Sequence, residues 1–116
     1  MRDDWQRLQD ILDAIDKIDK YARLGWDTFS ADELIQVWII HQFLIIGEAS
    51  RSLSEALRKT SAQVPWPQII AFRNLIAHHY FEIDAPVVWN IVQHDLPDLK
   101  SQIQQMLVDI PPKPSG

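Results

Sequence analysis

Apolar residues recur at three- and four-residue steps through the first stretch of the chain: Trp5, Leu8, Ile11, Leu12, Ile15 and Ile18, then Tyr21 and Ala22. That spacing keeps one face of a helix apolar and predicts an amphipathic helix over about residues 4–23. Asp10, Asp13, Asp16, Lys17, Asp19 and Lys20 fall mostly on its wet side. Leu24-Gly25-Trp26-Asp27 reads as a helix stop and a turn. Ser30 followed three residues later by Glu33 has the form of a capping box and opens a second predicted helix, running to about residue 59. Its centre, Val37 to Ile46, is apolar almost all the way round, interrupted by His41-Gln42. A surface helix in so small a domain buries one side only, so the surplus asks for a second covering and predicts a homodimer through this helix. The lone His41 reads as a hydrogen-bonded core or interface histidine, Gly47 as a kink or a close helix approach, and Glu48 and Arg51 as a pair three apart on one face.

After a short loop at 60–64, Pro65 and Pro67 frame the start of a third helix, because proline is tolerated in a first turn. Trp66, Ile69, Ile70, Leu75 and Ile76 are its predicted core side. Asp84 caps a fourth helix with Pro86 in its first turn and Val87, Val88, Ile91 and Val92 on its apolar side. Asp95-Leu96-Pro97 breaks or kinks it, and Leu99, Ile103, Met106, Leu107 and Ile110 form a fifth helical piece ahead of a flexible, proline-rich tail at 111–116. The fold class is therefore all-α, a bundle of four to five helices in one domain over residues 1–110.

Composition narrows this picture. The chain has 116 residues, 47% of them hydrophobic, which excludes a disordered polymer, and its 3 glycines argue against a turn-rich β-sandwich. With no cysteine there is neither a disulfide framework nor a thiolate metal site. No stretch has the apolar core of a signal peptide or the length of a membrane span, so a cytoplasmic location away from any membrane is expected. The net charge of −5 argues against a generic nucleic-acid binder. It is unevenly spread, however: residues 51–80 carry Arg51, Arg58, Lys59 and Arg73 against Glu55 alone, a local +3. Arg51, Arg58 and Lys59 are lesser candidates for RNA-backbone contacts, or else the dipole-matched end of a long helix.

The stretch Phe72-Arg73-Asn74-Leu75-Ile76-Ala77-His78-His79-Tyr80 places five polar or ionisable groups in a segment that otherwise reads as buried helix. Arginine and histidine near a helix C-terminus are favoured by the dipole and by free carbonyls, which explains any one of them alone more readily than all five. Asn74 and His78, four apart, share a face, whereas Arg73 and His78, five apart, sit roughly 140° around a regular helix. Either the helix ends near His78, or the cooperating Arg and His belong to different subunits; both suit a groove at a two-fold interface. Imidazoles titrate near neutrality and serve as general base and acid, and a guanidinium holds phosphate and opposes developing charge. No H-E-x-x-H, glycine-rich phosphate loop or G-x-S-x-G elbow occurs, so no metal or other cofactor is expected. The inventory suits RNA cleavage by attack of the 2′-OH on the adjacent phosphate.

Arg73-(four residues)-His78-His79-Tyr80 resembles the R-x4-H-x-Y signature of the HepT-like toxins of the HEPN superfamily. Ile46-Gly47-Glu48-Ala49, Pro65-Trp66, Val88-Trp89-Asn90-Ile91-Val92 and Asp95-Leu96-Pro97 resemble the same family in order, so the likeness spans most of the chain. It implies a helical homodimer and a metal-independent endoribonuclease acting as a type II toxin, with a small nucleotidyltransferase of the minimal (MNT) type as antitoxin. It further implies that Arg73 binds the scissile phosphate, that His78 is the acid/base, and that Asn74 orients His78 or binds phosphate. Tyr80 would contact RNA and accept AMP from the antitoxin, placing phosphodiester charge beside Arg73. His79 is given no role. Two other readings compete: a non-catalytic helical binding subunit of a nucleotidyltransferase complex, and a purely structural motif that caps and packs the third helix.

Overall fold

The computed structural model describes residues 3–110, and the proline-rich segment expected to be a flexible tail lies outside them. Helix α1 (Asp4–Ala22) starts at a reciprocal cap, Gln6 N donating to Asp3 Oδ1 at 2.9 Å and Asp3 N to Gln6 Oε1 at 3.0 Å. Its stripe is buried as the spacing requires: Leu8, Ile11, Ala14, Ile15, Ile18 and Ala22. Gly25, at φ +94°, makes the turn, a conformation in which a side chain would be strained.

A short helix α2 (Trp26–Ala31), not anticipated from the sequence, then puts Phe29 into the core, where it stacks 5.2 Å from Trp89 with Trp26 alongside. Ser30 is thus inside α2 and donates to Asp27 O, and the cap of the next helix is Asp32, whose Oδ1 accepts from Leu34 N and Ile35 N. The predicted long second helix is two helices. Helix α3 (Glu33–Ser52) ends where Leu53 turns to extended backbone and dives into the core, and α4 (Glu55–Thr60) restarts under a Ser54 cap. Asp4 fixes that corner, accepting from Ser54 N at 2.9 Å and Ser54 Oγ at 2.6 Å. Arg51 therefore closes α3 while Arg58 and Lys59 close α4, instead of sharing one helix end.

Helix α5 (Trp66–His79) is followed by a 3-10 turn (Tyr80–Glu82), then α6 (Ala85–Asn90), a π turn (Ile91–Asp95) and α7 (Leu96–Asp109). Pro97 does not break the chain. Leu96 N reaches back five residues to Ile91 O, and this wider turn carries the helix past a residue that has no N–H to give. Helix α3 is the axis of the bundle, packed against both α1 and α5, with α7 closing on α1. Among the described residues there is no strand, and no helix is long and apolar enough to cross a membrane.

Two expected core residues lie elsewhere. Leu75 and Val87 are exposed because their neighbours Ile76 and Val88 occupy the covered side; His41, read as a core or interface histidine, is exposed beside Trp38. With Leu34 at 81% exposure and Val37 and Trp38 also open, α3 carries an apolar face that the described residues leave largely uncovered.

Lys100 ties α7 to α1 through Asp16 (3.2 Å) and Asp19 (3.4 Å), and its pKa is raised, chiefly by the hydrogen bond and charge of Asp16. A lysine held above its ordinary value of 10.5 stabilises the fold below that pH and ceases to as the pH climbs through the raised value. Lys100→Met should therefore lower the melting temperature near neutral pH by the equivalent of less than about 1 kcal/mol, given the exposure of the pair. Thermal melts of both proteins should converge in strongly alkaline buffer.

Candidate functional site

The site is set by the crossing of α3 and α5. Phe43 and Phe72 meet edge to face at 5.4 Å, and one turn further along α3 the backbone of Gly47 lies directly under Arg73. A β-carbon at position 47 would overlap Cβ and Cγ of Arg73, whose Cα would be 3.4 Å away. Glycine inside a helix costs roughly 0.5–1 kcal/mol relative to alanine. It is kept here because only a bare backbone lets the two helices come this close.

The close approach delivers the Arg73 side chain, 18% exposed, onto the carboxylate of Glu48, the residue after Gly47. Arg73 Nη2 pairs with Glu48, Nη1 donates to Asn74 Oδ1 at 3.0 Å, and Nε is buried without a partner among the described residues. Glu48 is shared: Arg51 Nη2 lies 3.6 Å from it, so the cluster of two guanidiniums and one carboxylate keeps one net positive charge. The expected Glu48–Arg51 pair is present, but its more buried partner is Arg73. The role of Glu48 as counter-charge to Arg73 could not be read from the sequence, since positions 48 and 73 meet only through tertiary packing. The Ile46-Gly47-Glu48 run was the available signal.

Asn74 lies one step round the helix from Arg73, so its hydrogen bond draws the guanidinium sideways toward the face that also carries His78, one turn on. Asn74 Oδ1 is thereby engaged with Arg73, and His78 makes no hydrogen bond or ion pair among the described residues. Helix α5 runs regularly through His78 and ends at His79, where φ −137° and ψ 42° leave the helical basin. Arg73 and His78 consequently stay on separate faces within one chain. Of the two arrangements left open by the sequence, the helix does end next to His78, with His78 itself still inside its regular run.

His79 Nδ1 lies 3.3 Å from Glu82 Oε2 across the 3-10 turn, and Tyr80 is half-buried, packed on the core. Of the lesser RNA-contact candidates, Lys59 is engaged by Glu55 at 3.2 Å and Arg51 by Glu48, while Arg58 is half-buried with an unpartnered Nε. No three His, Asp or Glu side chains among the described residues converge as metal ligands would. A cleft of about 330 Å³ between α3, α5 and α7, walled by Phe43, Ile46, Phe72 and Leu99, is lined by none of Arg73, Asn74, His78 or Tyr80.

A helical bundle that presents an arginine at a helix crossing and a histidine and tyrosine at the end of the same helix defines the class. The sequence profile described as ribonuclease HepT-like matches residues 11–106, and the chain belongs to that family. It is 31% identical over 100 residues to the "Probable ribonuclease HepT" of Thermococcus cleftensis, covering 85% of this chain and 91% of that protein. It is 32% identical over 98 residues to "Putative RNase MJ1380" of Methanocaldococcus jannaschii (84% and 90% covered). To "Putative RNase MJ0127" of the same organism it is 34% identical over 104 residues (89% and 86%). No solved structure matches the chain.

Gly47→Ala should destabilise the protein by about 1–3 kcal/mol through overpacking, outweighing its gain in helix propensity. Chemical denaturation should show a lower midpoint, and the Arg73–Glu48 pair should be displaced in a crystal structure of the variant.

Proposed function

We propose that this chain is a metal-independent endoribonuclease that works as a homodimer and is the toxin of a type II toxin–antitoxin system. The observation that carries the reading is the held guanidinium: Arg73 is oriented by Glu48 and Asn74 over a glycine that admits it, on the same helix as His78, whose side chain has no partner among the described residues.

In the proposed reaction His78 takes the proton from a ribose 2′-OH, and O2′ attacks phosphorus. Arg73 opposes the charge that builds on the non-bridging oxygens, and Asn74 keeps it aimed. The P–O5′ bond breaks, the O5′ leaving group takes a proton from an imidazolium, and the products are a 2′,3′-cyclic phosphate and a 5′-hydroxyl. Two imidazoles are required to act as base and acid in one pass, and a second copy of the chain supplies the other.

The open apolar face of α3 supports that dimer. Leu34, Val37, Trp38 and His41 follow one another at helical spacing, and Glu48 lies seven residues beyond His41, roughly 20° round the helix. A subunit docked along this stripe would thus bring its own Arg73–Glu48 pair to the edge of the interface. Tyr80, two residues past His78, is the proposed acceptor of AMP from a partner nucleotidyltransferase of the minimal type; an added phosphodiester there would compete with RNA for Arg73.

Purified protein should cut RNA in the presence of EDTA and leave 2′,3′-cyclic ends, with His78→Ala and Arg73→Ala each lowering the rate by about 100-fold or more. Cutting by His78→Ala at the wild-type rate would remove that residue from the reaction. Val37→Glu, on an exposed position, should yield a folded monomer in analytical ultracentrifugation with little activity. Retained dimerisation would place the interface elsewhere.

A further inference from the structure

Phe81 is 98% exposed, more than any other large apolar side chain described. Single exposed apolar residues are common on protein surfaces and by themselves signify nothing. This one differs in where it stands and in how it is held. It is the central residue of the 3-10 turn that leaves α5, directly after Tyr80 and three residues after His78. The turn is closed by Ile83 N donating to Tyr80 O at 3.4 Å and braced across it by His79 and Glu82. Tyr80, anchored on the core, meets the Phe81 ring edge to face at 5.4 Å. The ring is thereby supported from one side and open on the rest.

Its surroundings discriminate between occupants. Its near neighbours in sequence, His79, Glu82 and Asp84, are exposed and polar, unlike the run of Leu34, Val37 and Trp38 on α3. The carboxylates of Glu82 and Asp84 also disfavour a phosphate at this spot. What remains is an uncharged, flat, polar-edged group that gains from an aromatic face, and nucleic-acid bases have that chemistry.

We infer that Phe81 is a stacking platform for an unpaired base of the RNA next to the cleaved phosphate, which makes single-stranded and loop RNA the substrate class. Resting on the ribonuclease reading, the inference sharpens it: bases in an A-form helix are stacked on each other and out of reach, whereas a splayed base can lie on Phe81. Stacking tolerates any base and favours those with the larger ring, so purines at that position should be preferred.

The test uses the full chain carrying His78→Ala, so that RNA is bound and not cut, and a short single-stranded oligoadenylate with 2-aminopurine at its centre. Binding should quench the 2-aminopurine. Phe81→Leu should abolish the quench and weaken binding by about tenfold, Phe81→Trp should keep both within about twofold, and annealing the strand to its complement should mimic the leucine variant. Equal binding by Phe81→Leu and the phenylalanine form would overturn the platform. So would a leucine variant that sediments as a smaller species, since Phe81 would then be a subunit contact. Cleavage by the otherwise unaltered chain is scored on the same RNA. Cutting that Phe81→Leu leaves unaffected overturns the platform and spares the nuclease reading, whereas intact quenching without any cutting does the reverse.

Discussion

Everything at the site follows from how closely two helix backbones can pass. Where α3 and α5 cross, the missing side chain of Gly47 lets Arg73 lie flat on the partner helix instead of reaching into solvent. A freely extended arginine would have to be ordered on every encounter with a phosphate, at an entropic cost of up to about 2 kcal/mol for so long a side chain. Held by Glu48 and Asn74, it has met that cost on folding. The same contacts moderate its charge, leaving a local excess of one positive charge in a chain whose net charge is −5.

The bundle supports the crossing from outside. Helix α1 backs α3 along its whole apolar stripe, and the corner at Ser54 is pinned by Asp4 near the start of α1. The trio Trp26, Phe29 and Trp89 joins α2 to α6 and so fixes the far end of the turn that carries Tyr80 and Phe81. The local exit angle of α5 is therefore set by packing at both of its ends, with Trp66 Nε1 donating to Ser61 O at its start.

Much of this was legible in the residues. The three- and four-residue spacing of α1 gave its buried face directly, and Pro65 with Pro67, then Pro86, marked where α5 and α6 begin. The cluster from Arg73 to Tyr80, with the runs around it, carried the likeness to the family whose profile the chain matches. The failures have physical causes. Ser30-x-x-Glu33 satisfied the capping pattern, yet Asp32 stood closer to the true start and captured the free amides. The helix predicted to run to residue 59 concealed a corner because Leu53, spaced after Ile46 and Ala49 like a further helical core residue, serves the core from an extended backbone. Leu75 and Val87 look like core by type and are not, since side-chain type does not say how much of a helix its neighbours will cover. The Arg73–Glu48 pair, twenty-five positions apart, is tertiary and has no local signature.

The π turn at Ile91–Asp95 sets the phase of all that comes after it. Val88, Val92 and Leu96 follow at four-residue steps, a spacing that drifts round a regular helix by about 40° each time, yet all three are buried. The widened turn absorbs that drift, so that Leu99, Ile103 and Met106 arrive facing inward. Loss of one residue from this turn would restore a continuous α-helix that propensity favours, at the expense of rolling the last fourteen-residue helix off its seat. In relatives of this protein, length ought therefore to be tightly held through this bend.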